Sequence, residues 1–298
     1  MTAPAALVLG AGGQLGRACI DLAPPEMAVT GLARAECNLA DSDAVRRHLD
    51  RVNPRWIINA AAYTAVDQAE TEPARANAIN AQAPGELAAL CAQRGIRLVH
   101  VSTDFVFNGE SRVPYQPADT PSPLGVYGES KWRGERAVAI SGASHAIVRA
   151  SWVYSSRGRN FLLTMLRLLN EREEIGVVSD QVGAPTSARG LAEVCWRVAQ
   201  HPQGNGIFHW SDAGAISWYE FASAIREQGV ELGLVPDTSK VKPITTSDYP
   251  TPARRPAYSV LNSDTTCALL DIEQRPWRDA LRDVLRSLRE HNEGASSS

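Results

Sequence analysis

The stretch SPLGVYGESKWRGE, Ser122 to Glu135, places Tyr127 four residues ahead of Lys131 in what reads as the first turns of a helix. Side chains at that spacing lie one above the other on a single helix face, so a proton-bearing phenol and an ammonium can act as a pair. Each also fits a structural role, with the Tyr127 ring on the core and the Lys131 stem covering it. Two further stretches carry groups of the right kind. HVSTDFVFNG sets Ser102, Thr103 and Asp104 where an apolar run ends, and GAGGQLG spaces Gly10, Gly13 and Gly16 three apart after the first apolar run. The former reads equally as a turn or cap cluster. The latter, in a first strand-to-helix turn, lets the backbone turn tightly and approach a pyrophosphate, whose charge the helix N-terminus stabilises. A glycine-rich turn without a ligand is the plainer reading.

These groups need elements to hold them. Five short apolar runs, AALVLG, MAVTGLA, RWIINAAA, IRLVHVST and HAIVRASWVY, each have the length of a strand buried on both faces. Helical patterns separate them: QLGRACIDLA, DSDAVRRHLDRV, EPARANAINAQAPGELAALCAQRG and SKWRGERAVAIS. This alternation predicts an α/β fold, a Rossmann-like doubly wound parallel sheet that binds ligand at the C-terminal ends of its strands. Asp41 or Ser42 is the expected N-cap of the second helix, and Gly95 the expected stop of the third. After the third strand, NAAAYTAVDQAE offers Ala60, Ala61 and Ala62, which leave room for a cofactor or pack as ordinary helix alanines. The dinucleotide-binding unit is expected over residues 1–151, with the Tyr127 helix included. Residues 152–292 read mainly as a smaller substrate-binding lobe with room for segments that return to the sheet, and 293–298 as a disordered tail.

Composition narrows the partners. A net charge of −3 without a basic block argues against nucleic acid or an anionic membrane and leaves a small soluble ligand. The five cysteines lie far apart and form no C-x-x-C pair, so neither a disulfide framework nor a zinc site is expected, and a reducing cytoplasm fits. No basic stretch precedes the first apolar run, and no window has the length to span a bilayer.

The glycine turn, the hydroxyl cluster after the fourth strand and the Tyr-x-x-x-Lys helix together resemble the extended short-chain dehydrogenase/reductase family. NAAAYTAVDQAE, STDFVFNG, SPLGVYGESKWRGE, RASWVYSSRGRNF, SDQVGAPTSA and YPTPARRPAYSVLN, in order along nearly the whole chain, are similar to its dTDP-4-dehydrorhamnose reductase branch. The resemblance implies NAD(P)H-dependent reduction of the C4 keto group of dTDP-4-dehydro-L-rhamnose to dTDP-L-rhamnose. It implies Tyr127 as the acid, with the Lys131 cation lowering the phenol from its usual pKa of about 10. Lys131 would also hold the nicotinamide ribose, and Thr103 would hydrogen-bond the same carbonyl oxygen. Cofactor contacts would come from Gly10, Gly13, Gln14, Leu15, Gly16, Arg34, Asn38, Leu39, Ala60, Ala61, Ala62 and Tyr63, together with Tyr127 and Lys131. The sugar nucleotide would meet Thr103, Asp104, Phe105, Trp152, Asn160, Gln181 and Arg255. Phe105 stands where close relatives commonly carry tyrosine, so a phenol hydrogen bond is lost while ring stacking remains available. Plainer readings stay open: a core indole for Trp152, a helix cap for Asn160, a Gly/Pro turn for Gln181, Gly183, Pro185 and Thr186, and a solvated Arg255.

The second strand ends without the acidic residue that accepts both adenine-ribose hydroxyls in NAD-binding members, and presents Arg34 instead. Its planar fork fits a 2′-phosphate, so NADPH is the expected cofactor with NADH still usable; a solvated loop arginine is the other reading. Some family dimers hold magnesium between carboxylates whose places here carry Ala18 and Arg189. No such metal cluster is expected, and any homodimer would be weak. Two other functions stay open. A nucleotide-sugar epimerase or dehydratase shares the fold, although the STD block offers one carboxylate without the usual following glutamate. A non-catalytic dinucleotide-binding regulatory subunit is the other, and Thr103, Tyr127 and Lys131 argue against it.

Overall fold

All five apolar runs form parallel strands, and a sixth strand from the second half of the chain joins them. The computed structural model describes residues 3–296. β1 (Ala5–Leu9), β2 (Ala28–Leu32), β3 (Trp56–Asn59), β4 (Arg97–Thr103) and β5 (His145–Ala150) lie in one sheet with the strand Gly206–Trp210. From edge to edge the order is Gly206–Trp210, β5, β4, β3, β1, β2. The order reverses between β1 and β3, and an open sheet of this kind has its ligand crevice where the strand order reverses. Alternate residues of each strand serve opposite faces. Ala6, Val8, Ile58, Val99 and Val148 share a core with Cys19 of helix α1 (Gln14–Asp21) and with Leu191, Cys195 and Trp196. Leu7, Leu9, Ile57, Leu98 and Ile147 pack on Val45 and Leu49 of α2 (Ser42–Val52) and on Leu87 and Val138.

The caps fall where the sequence predicts them. Asp41 accepts a hydrogen bond from the Ala44 amide at 2.9 Å, and Gly95 ends the Ala83–Arg94 helix at φ +64°. The helical pattern from 73 to 94, however, is not one regular helix. It widens into a π-helical stretch at Ala78–Gln82 between Pro73–Asn77 and Ala83–Arg94. Pro84 has no N–H to give to the Asn80 carbonyl one turn back, so the α-helical ladder breaks there. That carbonyl instead faces the bare Cα of Gly134, where a Cβ would collide with it. The fifth apolar run is also divided. The strand ends at Ala150, Trp152 takes a left-handed φ of +46°, and Val153–Tyr154 pairs with Thr186–Ser187 in a separate ladder.

Residues after 151 serve two cores. The Ala188–Gln200 helix lies on the sheet, and Trp196 Nε1 donates to the Cys19 carbonyl at 2.8 Å. The helix Phe161–Glu171 and the helix Trp218–Glu231 build another core around Leu166, Phe221, Ile225 and Trp277. The final helix runs Trp277–Ser296, into the stretch expected to be disordered; residues 297–298 of that stretch lie outside the described residues.

One buried ion pair joins the Tyr127 helix, Val126–Ala139, to β5. Arg149 and Glu135 are 2% and 3% exposed, and their nearest atoms stand 2.7 Å apart. Arg149→Met removes the hydrogen-bonded partner of Glu135 in the core and should cost about 3–5 kcal/mol in urea unfolding. The double variant with Glu135→Leu should recover only part of that loss, since Lys131 then loses its counter-charge, and equal loss in both would show that the pair is not the cause.

Candidate functional site

Two glycines of the turn have no space for side chains. Gly10 adopts φ +80°, and a Cβ on it would come within 2.7 Å of the Ala61 amide nitrogen; one on Gly16 would strike the Gly10 carbonyl. Gly13 is the N-cap of α1 and contributes no side-chain bond, and the first turn holds no acidic residue. The amides of Gln14, Leu15 and Gly16 therefore form a helix start suited to a pyrophosphate. Gln14 turns its carbonyl oxygen to Ser155 Oγ at 2.9 Å and Asn160 Nδ2 at 2.7 Å, which ties the turn to the second half of the chain. Across the crevice, Ala60 donates to the Leu9 carbonyl and Ala61 to Asn59 Oδ1. Ala62 follows, and the Tyr63 amide donates to Asn80 Oδ1 at 2.8 Å. Asn80 also reaches Ser130 Oγ at 3.1 Å, so one buried amide aligns the alanine loop with the Tyr127 helix.

At the end of β2, Arg34 is exposed in the turn that follows Leu32. The carboxylate missing from the strand end occurs later in that turn as Glu36, where it accepts the Ala33 amide at 2.8 Å. Asn38 Oδ1 accepts from the Ala40 amide, and Leu39 is buried in the core of that face.

Thr103 ends β4 and Asp104 begins a single 3₁₀ turn. Thr103 Oγ1 donates to Asp104 Oδ1 at 3.0 Å and accepts from the Phe105 amide at 3.2 Å. Burial pushes the Asp104 carboxyl up to about 6 against the Ser259 and Thr103 hydroxyls, and its Oδ2 is buried without a hydrogen-bond partner. The Tyr127 helix docks directly on this turn. Gly128 makes the contact, because a Cβ there would meet the Phe105 carbonyl, and the Phe105 and Tyr127 rings stand edge to face at 5.5 Å.

The Tyr127–Lys131 pair behaves differently from the expectation. Loss of solvent pushes the Tyr127 phenol up to about 12; the Thr103 hydroxyl works against this, and the Asp104 carboxylate adds to it. Lys131 does not lower it. The Lys131 ammonium, in a residue 2% exposed, donates to the Val101 carbonyl at 2.7 Å, and burial pushes it down to about 8 against the pull of Glu135. Beneath it, His100 Nδ1 meets Asn59 Nδ2 at 3.1 Å, and burial together with the Lys131 charge keeps this imidazole neutral.

Of the second-half residues, Trp152 lies two positions past Ala150, the register partner of Thr103, and so beside the Thr103 end of β4. Its indole stacks on Trp218 at 3.5 Å and covers Gly183, where a Cβ would come within 2.6 Å of it. Trp218, with no distinctive spacing in the sequence, emerges only from the folded contacts. Asn160 is a helix cap, accepting the Leu163 amide at 2.9 Å. Gln181 donates to Thr246 Oγ1 at 3.1 Å, the Pro185 carbonyl accepts the Asp212 amide, and Thr186 is buried. Arg255 is not a solvated arginine: it holds Asp67 through two bonds of 2.7 and 3.0 Å.

Ala18 and Arg189 line a cavity of about 600 Å³ with Arg17, Arg157 and Arg275, and none of Thr103, Tyr127 or Lys131 borders it. Among the described residues, no group of three His, Cys, Asp or Glu side chains is placed to hold a metal ion, and no helix is long and apolar enough to cross a membrane.

A doubly wound sheet with a glycine turn at β1, and a threonine, tyrosine and buried lysine at the end of β4, defines a dinucleotide-dependent oxidoreductase of the short-chain type. The chain belongs to the RmlD substrate binding domain family, whose model matches residues 5–290. It is 41% identical over 292 residues to a dTDP-4-dehydrorhamnose reductase of Burkholderia thailandensis, covering 95% of this chain and 98% of that one. It is 40% identical over 282 residues to the spore coat polysaccharide biosynthesis protein SpsK of Bacillus subtilis, covering 94% and 96%. The crystal structure of a Bacillus anthracis dTDP-4-dehydrorhamnose reductase in complex with NADP superposes with a TM-score of 0.89 at 34% identity, over 95% of this chain and 99% of that chain.

The buried Asp104 carboxyl gives the site a stability signature. Its folded pKa of about 6 lies above the ordinary 3.8, so its contribution is fully present below about pH 4 and is lost as pH rises through 6. Two units correspond to up to about 3 kcal/mol. Asp104→Asn should flatten the fall in unfolding free energy between pH 4 and 7, and an unchanged slope in that variant would assign it elsewhere.

Proposed function

We infer that this chain reduces the C4 keto group of dTDP-4-dehydro-L-rhamnose with NADPH, giving dTDP-L-rhamnose. The observation that carries this reading is the meeting of Thr103, Tyr127 and Lys131 at the end of β4, in a chain of this family. Gly10 and Gly16 let the backbone pack where a Cβ would collide, and the amides that open α1 fit a dinucleotide pyrophosphate. Arg34, exposed beyond β2, fits its 2′-phosphate.

When bound, NADPH supplies a hydride to C4. The protein's part is to orient the keto oxygen and deliver a proton to it. Thr103 Oγ1 donates a hydrogen bond to that oxygen, stabilising the charge that develops there. Tyr127, pushed up to about 12, still carries its proton at neutral pH and gives it to the oxygen. Lys131 holds positive charge close by and steadies the ribose. The unpartnered Asp104 Oδ2 accepts from a sugar hydroxyl, Phe105 and Trp152 supply apolar walls, and Gln181 supplies an amide. Arg255 serves the diphosphate only by exchanging Asp67 for it. We place the reaction in the cytoplasm, where both substrates are soluble, and any homodimer forms without a metal bridge.

Mixing the chain with NADPH and dTDP-4-dehydro-L-rhamnose should oxidise NADPH and yield dTDP-L-rhamnose by NMR; no product would overturn the reading. Tyr127→Phe should lower turnover by about two orders of magnitude or more with NADPH binding intact. Because Lys131 titrates at about 8, kcat/KM should fall as pH rises through that value. Lys131→Arg should shift this limb upward, and a limb unmoved by that change would belong to another group.

Cofactor choice is tested separately. NADPH should be favoured over NADH by roughly tenfold, or about 1.4 kcal/mol. Arg34→Ala should erase most of this by weakening NADPH alone. Equal catalytic efficiency of the parent with both cofactors would remove Arg34 from the site.

A further inference from the structure

The helix that carries Tyr127 and Lys131 has no cap of its own. Its N-cap is Gly125, in extended backbone at φ −150°, and no side chain of the N-cap bonds to the first turn. A carboxylate arrives from elsewhere in the chain. Glu70, which follows the short helical turn Val66–Ala69, accepts the Val126 amide hydrogen at 2.9 Å across a sequence separation of 56. Gly125 makes room for it, since a Cβ at that position would come within 2.5 Å of Glu70 Oε1. Free amides and the positive end of the helix dipole both favour a carboxylate there. Val126 immediately precedes Tyr127, so this bond fixes the first residue of the turn that presents the phenol.

The same short segment is held from its other side. Asp67, three residues before Glu70, accepts two bonds from Arg255, and its Oδ1 also accepts the Ala253 amide at 3.2 Å. Val66–Glu70 is thus clamped between the chain near Arg255 and the start of the Tyr127 helix. We propose that Glu70 is a positioning residue for the reduction, capping the helix in trans so that the Tyr127 phenol stands where the C4 oxygen needs a proton. This rests on the reductase reading given above.

Three variants separate the cap from the charge. Glu70→Ala removes the acceptor, Gly125→Ala displaces it by occupying its space, and Glu70→Gln keeps an acceptor oxygen without the charge. In single-turnover mixing of NADPH-loaded enzyme with the dTDP-4-keto sugar, the two alanine variants should transfer hydride about tenfold more slowly, since small misplacements of a reacting group are costly. Glu70→Gln should stay within about twofold of the parent, and NADPH affinity should hold within about twofold in all three. Parent-like rates in both alanine variants would overturn the proposal, whatever their melting temperatures. So would a Glu70→Gln variant as slow as Glu70→Ala. Amide exchange at Val126–Gly128 reads the cap without turnover and should quicken in Glu70→Ala. Unchanged exchange there would sink the cap, whereas a parent that reduces no keto sugar would sink the reductase reading instead.

Discussion

An ammonium buried to 2% exposure with a backbone carbonyl as its hydrogen-bond acceptor needs compensation, and meeting that need organises the middle of this molecule. Glu135, one turn along the same helix, is the negative charge that holds Lys131 up. Glu135 is buried too, and Arg149 claims it through both carboxylate oxygens. Arg149 in turn lies 5.1 Å over the Phe107 ring and meets His209 Nε2 at 3.3 Å. Facing that guanidinium, His209 is pushed down to about 3, first by burial and then by the Arg149 charge, and its Nδ1–H is left to donate to the Tyr115 carbonyl. The three ionised groups in this chain sum to one positive charge. Glu135 is shared between two cations, which is why burial still wins at Lys131.

This network ties the sixth strand to the Val126–Ala139 helix. His209 sits on the Gly206–Trp210 strand, Arg149 on β5 and Glu135 on the helix after β4, so the ion pair ties the helix to β5 and the ladder ties β5 to the sixth strand. The same helix also makes steric contacts. Gly128 lets it settle on the Phe105 carbonyl, and Gly134 lets it settle on the Asn80 carbonyl that Pro84 leaves unbonded. Each glycine permits backbone-to-helix contact that no other residue allows. Tyr127 and Lys131 are therefore placed by an ion pair and by two close backbone contacts of their helix.

The parts of this architecture that depend on periodicity were legible in the sequence. Strands buried on both faces read as apolar runs, the helices between them as amphipathic patterns, and the glycine turn, the Ser102–Asp104 cluster and the Tyr127–Lys131 spacing as chemistry at strand ends. What stayed hidden depends on partners distant in sequence. The Gly206–Trp210 strand contains His209, a polar residue that its contacts with Arg149 and the Tyr115 carbonyl make tolerable inside. Asn80 reads as an ordinary helix residue until Pro84 is seen to remove its carbonyl's partner. Glu36 lies past the position where an acidic residue after β2 is sought. Trp152 had an expected place, but the left-handed backbone that sets its indole on Trp218 requires Gly183 beneath it, 31 positions later in the chain.

The departure at Tyr127 has a physical logic of its own. A cation set against the phenol in the resting protein would favour tyrosinate, and an acid that has already lost its proton cannot protonate an alkoxide. Here the Lys131 ammonium is turned to the Val101 carbonyl, while burial and the Asp104 carboxylate hold the proton on the phenol. The positive charge is nonetheless on the same helix face, one turn away. Its value lies in the state that follows proton transfer, when Tyr127 would bear a negative charge in a site poor in water and Lys131 is the nearest cation on its own helix. A carboxyl pushed up to about 6 beside the phenol serves the same end, since Asp104 repels the tyrosinate before reaction and costs little once a sugar hydroxyl donates to it. Burial, which raises the phenol and lowers the ammonium, thus leaves Tyr127 holding its proton while bringing Lys131 closer to losing one.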